Sequence, residues 1–268
     1  MSTTRNTSSE KDHPSQSLIG LGELISLRGK CAIVTGAAQG FGAAIAMRFA
    51  EAGANVVIAD RNEDGARKKT EEINDMHQSA TAKVVDIFDS KQVINMVSET
   101  VSEHGRVDIL VNNAGIFSNH YFENMPVDEF QKTLNVNVVG TFNCTQAVVQ
   151  NMKSDGKGGA IVNIASVDAF KPSAEGLAHY TTTKHAIAGL TRSLAMELGG
   201  DNIRVNAVCP GAAMTEGAIS LVTAGAPAGI DVEAQWNGIV EKTPLRRLCQ
   251  ADDVAKATFF LGSEMSSF

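Results

Sequence analysis

A tyrosine and a lysine stand four residues apart in the stretch YTTTK, at Tyr180 and Lys184. On a helix this spacing puts both side chains on one face. A phenol has a pKa of about 10, and lowering it to about 7 takes roughly 4 kcal/mol. An ammonium about 4 Å away supplies roughly that much at an effective dielectric constant of about 20. The pair therefore predicts a tyrosine that exchanges protons at neutral pH, its pKa lowered by the lysine.

A glycine-rich stretch near the start of the chain, TGAAQGFG at residues 35–42, follows an apolar run and precedes a helical pattern. Gly36, Gly40 and Gly42 let the backbone turn sharply and let a diphosphate approach it. The N–H groups of the following helix then face the anion. The stretch therefore predicts a phosphate-binding loop, and the alternative is a turn that only connects a strand to a helix.

An acidic residue, Asp60, ends the next strand-like run, NVVIAD, about 20 residues past this loop. A carboxylate at that position accepts hydrogen bonds from the adenosine ribose of a dinucleotide, and its charge repels a 2′-phosphate. The expected cofactor is therefore NAD, with NADP less favoured. Arg61 follows directly and could hold a 2′-phosphate, and Asp60 alternatively serves as a turn former at the strand end.

The elements that must position these residues follow from the hydropathy pattern. Strands that are apolar on both faces are typical of a parallel sheet between two layers of helices. Regular alternation of strands and helices predicts an α/β protein with a doubly wound sheet. Long helical stretches are expected at residues 127–153 and 179–199. The predicted strands cover residues 31–35, 55–60, 82–86, 107–115, 158–166 and 203–211.

The chain divides into a short tail and one long domain. Residues 1–17 are polar and rich in Ser and Thr, and residues 18–27 contain a short apolar segment. We interpret residues 1–27 as a disordered tail with a short packing segment. Residues 28–268 are expected to form a single dinucleotide-binding catalytic domain, in which residues 212–243 make a mobile excursion over the substrate.

Composition disfavours several classes of protein. Of the 268 residues, 43% are apolar and 20% are charged, which is typical of a globular protein. The net charge of −7 disfavours nucleic acid and anionic membrane as partners, because both attract clustered Lys and Arg. No apolar run is long enough to span a membrane. The four cysteines are widely spaced and no cluster has metal-ligand spacing, so we expect free thiols, no metal and a cytoplasmic location.

Several motifs occur in a characteristic order: TGAAQGFG, NNAG at 112–115, NVVG at 137–140, a serine at the end of the fifth strand, YTTTK, and PGAAMT at 210–215. In this order they resemble the short-chain dehydrogenase/reductase family, over residues 28–268. The resemblance implies a single Rossmann-type domain and a nicotinamide cofactor that exchanges hydride with an alcohol or carbonyl. We therefore expect an NAD-dependent oxidoreductase that interconverts a secondary alcohol and a ketone.

The resemblance implies four catalytic residues. Tyr180 is the general acid and base, and Lys184 also binds the nicotinamide ribose. Ser166 holds the substrate oxygen toward Tyr180, and the alternative is a strand-end serine that bonds nearby backbone. Asn137 holds a water that connects Lys184 to solvent, and Asn135, on another face of the same helix, is its rival.

The resemblance also implies a set of residues that contact the cofactor. Asp86 and Ile87 are expected beside the adenine, Asn113 and Gly115 over a ribose, and the stretch PGAAMT beside the nicotinamide amide. Ordinary turn chemistry at strand ends is the alternative for several of them. The complete set is Gly36, Gln39, Gly40, Phe41, Gly42, Asp60, Asp86, Ile87, Asn113, Gly115, Tyr180, Lys184, Pro210, Gly211 and Thr215.

Side chains after strands four and five, with others from the excursion, could line a mostly apolar substrate pocket. A small to medium alcohol or ketone is expected, whether alicyclic, aromatic or steroid-like. The alternatives are a 3-oxoacyl-thioester reductase, a catalytically silent dinucleotide-binding regulator and a fold-defective fragment. The candidate pocket residues are Phe117, His120, Tyr121, Phe122, Asp168, Phe170, Met214, Leu221 and Trp236.

The C-terminal region departs from the family pattern. Family members usually continue into a seventh strand at the sheet edge, whereas this chain ends at Phe268. We therefore expect the last edge strand to be missing and the sixth strand to have an open edge. The same region makes subunit contacts in the family, so a homo-oligomer, either dimer or tetramer, is expected if the C-terminus is intact.

Overall fold

The centre of the molecule is a six-stranded sheet. The structure is a computed structural model that describes residues 18–215 and 232–268. In these residues the strands are β1 (Cys31–Thr35), β2 (Asn55–Asp60), β3 (Ser79–Val84), β4 (Ile109–Asn112), β5 (Gly159–Ile164) and β6 (Ile203–Val208). Their order across the sheet is β3-β2-β1-β4-β5-β6, and every neighbouring pair is parallel.

Helices connect the strands. In the described residues they are α1 (Leu21–Leu24), α2 (Gly40–Glu51), α3 (Glu63–Asp75), α4 (Ser90–His104), α5 (Val127–Leu134), α6 (Thr141–Ser154), α7 (Ala178–Leu198), α8 (Val232–Lys242) and α9 (Ala251–Gly262). A π-helical segment, Asn135–Gly140, lies between α5 and α6. Short 3₁₀ turns occur at Phe122–Asn124, Val167–Ala169, Gly199–Asp201 and Glu264–Ser266.

The central strands β1 and β4 are buried on both sides because their alternate side chains point to opposite layers of helices. Val34 of β1 belongs to a buried cluster that includes Phe49 of α2. Ile33 belongs to a cluster on the other face, with Met96 of α4 and Val148 of α6. The predicted α/β fold, a parallel sheet with helices on both faces, is confirmed.

The third strand differs from its prediction. β3 spans Ser79–Val84 rather than residues 82–86, and most of its side chains are partly exposed at the sheet edge. Hydropathy therefore does not indicate where the strand begins. Its start is instead held by Asn74 of α3, whose side chain donates to the carbonyl oxygen of Ala80 (3.2 Å) and accepts from its N–H (2.9 Å).

The long helix predicted at 127–153 is interrupted by the π-helical segment. There the Thr141 hydroxyl donates to the carbonyl oxygen of Asn137 (2.8 Å). Gly140 lies against Ile87, and a Cβ at Gly140 would come 2.5 Å from the Ile87 Cδ1. Apolar periodicity cannot distinguish such a segment from α-helix, because the widened turn depends on contacts with distant residues.

Two parts of the predicted organisation lie outside the described residues: the tail at 1–17, and residues 216–231 of the excursion, which include Leu221.

The predicted packing segment at residues 18–27 contacts the domain. Leu27 is 2% exposed, and its N–H donates to the carbonyl oxygen of Ala52 (2.8 Å). Within residues 18–215 and 232–268, β6 forms one edge of the sheet. Of the helices in these two ranges, none combines the length and hydropathy that a bilayer crossing needs.

Two helical glycines have opposite surroundings. A Cβ at Gly42 of α2 would come 2.2 Å from the carbonyl oxygen of Gly36, whereas a Cβ at Gly189 of α7 meets no atom of the described residues within 4 Å. The turn between β1 and α2 therefore needs glycine at position 42, and α7 does not need it at position 189.

We expect Gly42→Ala to lower the free energy of unfolding by about 1–3 kcal/mol, because the turn must move to admit the methyl group. The matched variant Gly189→Ala should raise it by about 0.5–1 kcal/mol, since alanine loses less backbone entropy in a helix. Thermal or denaturant unfolding followed by circular dichroism measures both. A Gly42→Ala variant as stable as wild type would contradict the close packing of this turn.

Candidate active site

A cleft of about 480 Å³ opens at the carboxyl ends of the strands. From β1 the sheet continues through β2 and β3 to one side, and from β4 through β5 and β6 to the other. Open α/β sheets bind ligands in the crevice beyond the strand ends where this direction changes. Of the predicted site residues, Gly42 and Asn137 do not line this cleft. Those that do line it are Gly36, Gln39, Gly40, Phe41, Asp60, Asp86, Ile87, Asn113, Gly115, Ser166, Tyr180, Lys184, Pro210, Gly211 and Thr215.

The turn between β1 and α2 is held by the residues that follow β4. The Nδ2 of Asn113 donates to the carbonyl oxygens of Thr35 (2.9 Å) and Gly36 (3.0 Å). Gly36 has a φ of +63°, and a Cβ there would come 2.8 Å from the Cα of Ala114. Because α2 then begins at Gly40, which lines the cleft, the first-turn N–H groups of this helix lie at the cleft wall.

The carboxylate of Asp60 is held at the end of β2 by two backbone donors. The N–H of Ala38 donates to its Oδ2 (3.0 Å) and the N–H of Asn62 to its Oδ1 (2.9 Å). Each oxygen can accept a second hydrogen bond. Arg61, the next residue in the chain, lines the same cleft.

A second polar group forms where α7 meets the end of β5. The Nζ of Lys184 donates to the carbonyl oxygen of Ile164 (2.8 Å) and lies 5.3 Å from the centre of the Tyr180 ring. Ser166, two residues past β5, lines the cleft together with Tyr180. The ring of Phe117 packs against that of Tyr180, with centroids 5.4 Å apart. Three polar side chains and one aromatic ring therefore share a wall of the cleft.

The predicted lowering of the Tyr180 pKa is wrong for this structure. Burial raises the pKa of Tyr180 to about 12; the Ser166 hydrogen bond opposes this rise and the charge of Asp168 adds to it. Burial also lowers the pKa of Lys184 to about 8, because a desolvated ammonium is unfavourable. Desolvation of the phenolate is the largest of these effects and therefore sets the direction in which the pKa of Tyr180 moves.

Asn137 is buried behind the cleft. Its Nδ2 donates to the carbonyl oxygen of Ile116 (2.9 Å) and the hydroxyl of Thr183 (3.1 Å), and its Oδ1 accepts from the Ile116 N–H (2.8 Å). The rival, Asn135, accepts from Gln131 within the same helical stretch (2.8 Å). The Asn137 side chain therefore holds the segment after β4 against α7, and the water expected beside it stays a prediction.

Of the side chains expected in a substrate pocket, Phe117 lines the cleft. Asp168 is instead 2% exposed and hydrogen-bonded to Ser166. Position after a strand cannot distinguish a side chain that lines a cleft from one buried beneath it. Leu221 lies outside the described residues. The other candidates do not line the described cleft: His120, Tyr121, Phe122, Phe170, Met214 and Trp236.

The cleft also has lining residues that the sequence analysis did not identify. Most are apolar or small and carry no group that would indicate chemistry. For all of them except Val136, which lies in the π-helical segment, a position at or just after the carboxyl end of a predicted strand was the available signal. They are Ala38, Ala59, Asn62, Val85, Ala114, Ile116, Val136, Ile164 and Ala165.

The groups around the cleft fit a dinucleotide. A carboxylate at the end of β2 suits ribose hydroxyls, and a helix N-terminus at a glycine turn suits a diphosphate. Both open into the same cleft as Ser166, Tyr180 and Lys184. A bound dinucleotide would therefore have an acid–base group beside it.

Comparison with known proteins agrees with this geometry. The short chain dehydrogenase family matches residues 30–225 of the sequence. A 3alpha-hydroxysteroid dehydrogenase from Mediterraneibacter gnavus is 38% identical over 244 residues, which cover 90% of this chain and 93% of that protein. The sequence similarity therefore includes the whole of the described cleft.

Solved structures resemble the fold closely. A 3-ketoacyl-(acyl-carrier-protein) reductase from Brucella melitensis, complexed with NADH, has a TM-score of 0.81 and 36% identity, covering 91% of this chain and 94% of that one. A gluconate 5-dehydrogenase from Burkholderia cenocepacia, in complex with NADP and tartrate, has a TM-score of 0.84 and 33% identity, covering 92% and 93%. On sequence and structure together, the chain belongs to the short-chain dehydrogenase family of oxidoreductases.

Proposed function

We propose that this protein is an NAD-dependent dehydrogenase that interconverts a secondary alcohol and a ketone, with Tyr180 as general acid and base. Membership of the family makes it an NAD(P)-dependent enzyme that acts on CH–OH groups. The observation that carries the proposal is that Tyr180, Lys184 and Ser166 line the same cleft as Asp60 and the β1–α2 turn.

Tyr180 performs the proton chemistry. Because burial raises its pKa to about 12, the phenol is protonated at neutral pH and can donate to a carbonyl oxygen during reduction. In oxidation the phenolate accepts the proton of the alcohol. Nicotinamide, when bound, supplies or accepts the hydride, and its oxidised form adds a positive charge. The ammonium of Lys184, 5.3 Å from the ring centre, stabilises the phenolate.

The remaining side chains orient the reactants. Ser166, which lines the cleft together with Tyr180, binds the oxygen that reacts. Phe117 covers one side of the Tyr180 ring and keeps water from it. Asn137 holds the segment after β4 in place through Ile116. This arrangement supports proton transfer between Tyr180 and a substrate oxygen that faces Ser166.

Asp60 supports NAD over NADP. Its two oxygens are held by backbone donors at the cleft and can accept from ribose hydroxyls, while its charge repels a 2′-phosphate. Arg61 is the group that could accept NADP, and the two similar structures contain NADH in one case and NADP in the other. We propose NAD because the carboxylate of Asp60 is the group fixed by the two backbone donors.

An apolar cyclic alcohol or ketone is the proposed substrate class. The 3alpha-hydroxysteroid dehydrogenase relative supports it, as does the aromatic ring of Phe117 in the cleft. The second candidate is a 3-oxoacyl thioester, which the similarity to a 3-ketoacyl-(acyl-carrier-protein) reductase supports. A panel of cyclic alcohols, steroid ketones and acyl-thioester ketones, followed by NADH absorbance, distinguishes them.

The compartment, domain organisation and oligomeric state of the protein are also proposed. All four cysteines are free thiols, which supports a reducing, cytoplasmic compartment. Residues 28–268 are proposed as one catalytic domain, with 212–243 as a substrate lid. A homo-oligomer, dimer or tetramer, is expected by light scattering.

Tyr180→Phe should lower kcat by about 10³-fold with little change in KM, because the variant keeps the ring and removes the proton donor. The matched control is Tyr121→Phe, since the chain contains two tyrosines and Tyr121 is 54% exposed outside the cleft lining. Steady-state rates with the best alcohol of the panel measure both. Substantial activity in Tyr180→Phe would refute the mechanism and favour another proton donor.

Asp60→Asn should lower the ratio of kcat/KM with NAD to kcat/KM with NADP by about tenfold or more, because charge-assisted bonds to ribose are lost together with the repulsion of a 2′-phosphate. Asp64→Asn, an exposed acid in the first turn of α3, is the control. An unchanged ratio in Asp60→Asn would remove the argument for NAD.

Oxidation should become faster from about pH 6 to about pH 8, because the phenolate fraction of Tyr180 grows with pH. The rise should flatten as pH passes about 8, where Lys184 loses the charge that stabilises the phenolate. Reduction should show no such rise, since the neutral phenol is its proton donor. The measurement is kcat/KM against pH in both directions, and oxidation that slows over this range would contradict the roles.

A further inference from the structure

Two neighbouring contacts join the segment after β4 to the start of α7. The ring of Phe117, which lines the cleft, packs against that of Tyr180, with centroids 5.4 Å apart. The next residue, Ser118, has its Oγ 2.9 Å from the Nε2 of His179, the residue before Tyr180. An aromatic contact in the cleft lining is therefore adjacent, in both segments, to a polar contact outside that lining.

The same pairing continues away from Tyr180. The N–H of His120 donates to the carbonyl oxygen of Gly176 (3.0 Å). Gly176 has a φ of +75°, and a Cβ there would come 2.6 Å from the Oδ1 of Asn119. The two segments therefore run antiparallel and in close contact from Tyr180 back to Gly176.

The polar contact is connected to a carboxylate of α5. The hydroxyl of Ser118 donates to the Oε1 of Glu129 (2.9 Å), and the Nζ of Lys132 donates to its Oε2 (3.5 Å). The bond from Ser118 lowers the pKa of Glu129, so this carboxylate is ionised at neutral pH. His179 is 0% exposed, and burial lowers its pKa, so the imidazole is neutral there.

The number of protons available sets the direction of each bond in this chain. An ionised carboxylate can only accept and a hydroxyl has one proton, so Ser118 gives its proton to Glu129. The Nε2 of His179 must then carry a hydrogen and donate to Ser118. Within residues 18–215 and 232–268 the buried Nδ1 has no hydrogen-bond partner. A proton on Nδ1 would therefore be an unpaired buried donor, which disfavours the reversed bond.

These bonds restrict the position of Phe117. Ser118, the residue after it, is bonded to both α5 and α7. Ile116, the residue before it, exchanges two hydrogen bonds with the side chain of Asn137 (2.8 and 2.9 Å). Phe117 thus lies between two fixed neighbours, and its ring cannot leave Tyr180 without straining a buried hydrogen bond.

We propose that Ser118 and His179 are positioning residues that hold Phe117 against Tyr180, so that the Phe117 ring is a fixed wall that selects cyclic substrates over small acyclic ones. A fixed aromatic face favours a flat or cyclic ligand, because the face need not be ordered when the ligand binds. The inference rests on the proposed function, since it assigns Phe117 to the substrate. It deepens that function by naming contacts outside the cleft lining on which substrate preference depends.

The first test reads the direction of the chain and needs no substrate. Nitrogen-15 NMR of the full chain with labelled histidine should show His179 as the tautomer with hydrogen on Nε2. The chain contains six histidines, and the His179→Gln variant identifies the signal that belongs to position 179. Hydrogen on Nδ1 instead would reverse the bond to Ser118 and overturn the proposal.

The second test reads the aromatic contact directly. The chain contains two tyrosines, so in a Tyr121→Phe background the NMR signal of labelled tyrosine reports on Tyr180. Ser118→Ala should shift that ring signal in the same direction as Phe117→Leu, because both remove the Phe117 ring from it. The matched control Ser154→Ala, an exposed serine of α6, should leave it in place. An unmoved signal in Ser118→Ala would overturn the proposal.

The third test uses catalysis. Ser118→Ala should lower kcat/KM for the best cyclic substrate about tenfold, mainly through KM, with a change below about twofold for a small acyclic alcohol. Ser118→Thr, which keeps the hydroxyl, should retain most of the preference, and the Kd for NADH should stay the same in both variants. In a Phe117→Leu background Ser118→Ala should add little, because the wall is already absent.

An equal loss with cyclic and acyclic substrates would mean that Ser118 only supports the fold. A full additional loss in the Phe117→Leu background would mean that Ser118 does not act through Phe117. Either result would overturn the proposal.

A pair of variants at the other end of the bond covers the case in which Ser118→Ala does not fold. His179→Gln keeps an N–H donor toward Ser118 and should keep the ratio of cyclic to acyclic kcat/KM. His179→Met removes the donor at similar volume and should lower that ratio about tenfold. Equal ratios in the two variants would overturn the proposal. Absence of wild-type turnover on every alcohol would instead reject the proposed function, and both NMR measurements would still test the positioning.

Discussion

The Nζ of Lys184 donates a hydrogen bond to the carbonyl oxygen of Ile164 (2.8 Å), and most of the active-site geometry follows from it. Lys184 is 6% exposed, and a buried ammonium is unfavourable unless it is bonded. The bond therefore sets the rotation of α7 against the end of β5. Tyr180, one helical turn earlier, faces the same cleft as Lys184 and Ser166, because residues four apart share a face of the helix. A structural contact between a helix and a strand end thus also positions the acid–base pair.

A comparable connection holds the other side of the cleft. The Thr35 hydroxyl donates to the carbonyl oxygen of Val111 (3.3 Å) and accepts from the N–H groups of Asn113 (3.0 Å) and Ala114 (3.1 Å). The side chain of Asn113 bonds back to the turn after β1. The ends of β1 and β4 are therefore joined where the chain order reverses. This keeps the glycine turn at a constant distance from the segment that carries Phe117.

Two carboxylates near the cleft have different surroundings, so one can bind a ligand and the other is bonded within the protein. Asp60 is held by backbone N–H groups and lines the cleft, so it can still accept from a ligand. Asp168 is buried among side-chain hydroxyls and one N–H, so its oxygens are used by Ser166, Ser173 and Thr181 within the protein. The Tyr180 phenol thus has the Lys184 ammonium 5.3 Å from its ring centre, while burial raises its own pKa to about 12.

The α/β fold, the order of its elements and most of the cleft lining could be predicted from sequence, because hydropathy period, glycine turns and the spacing of Tyr180 and Lys184 are local properties. The limits of β3, the π-helical turn that buries Asn137, the raised pKa of Tyr180 and the position of Asp168 beneath Ser166 could not. Each of these depends on desolvation or on hydrogen-bond partners supplied by distant segments, and such partners are defined once the chain has folded.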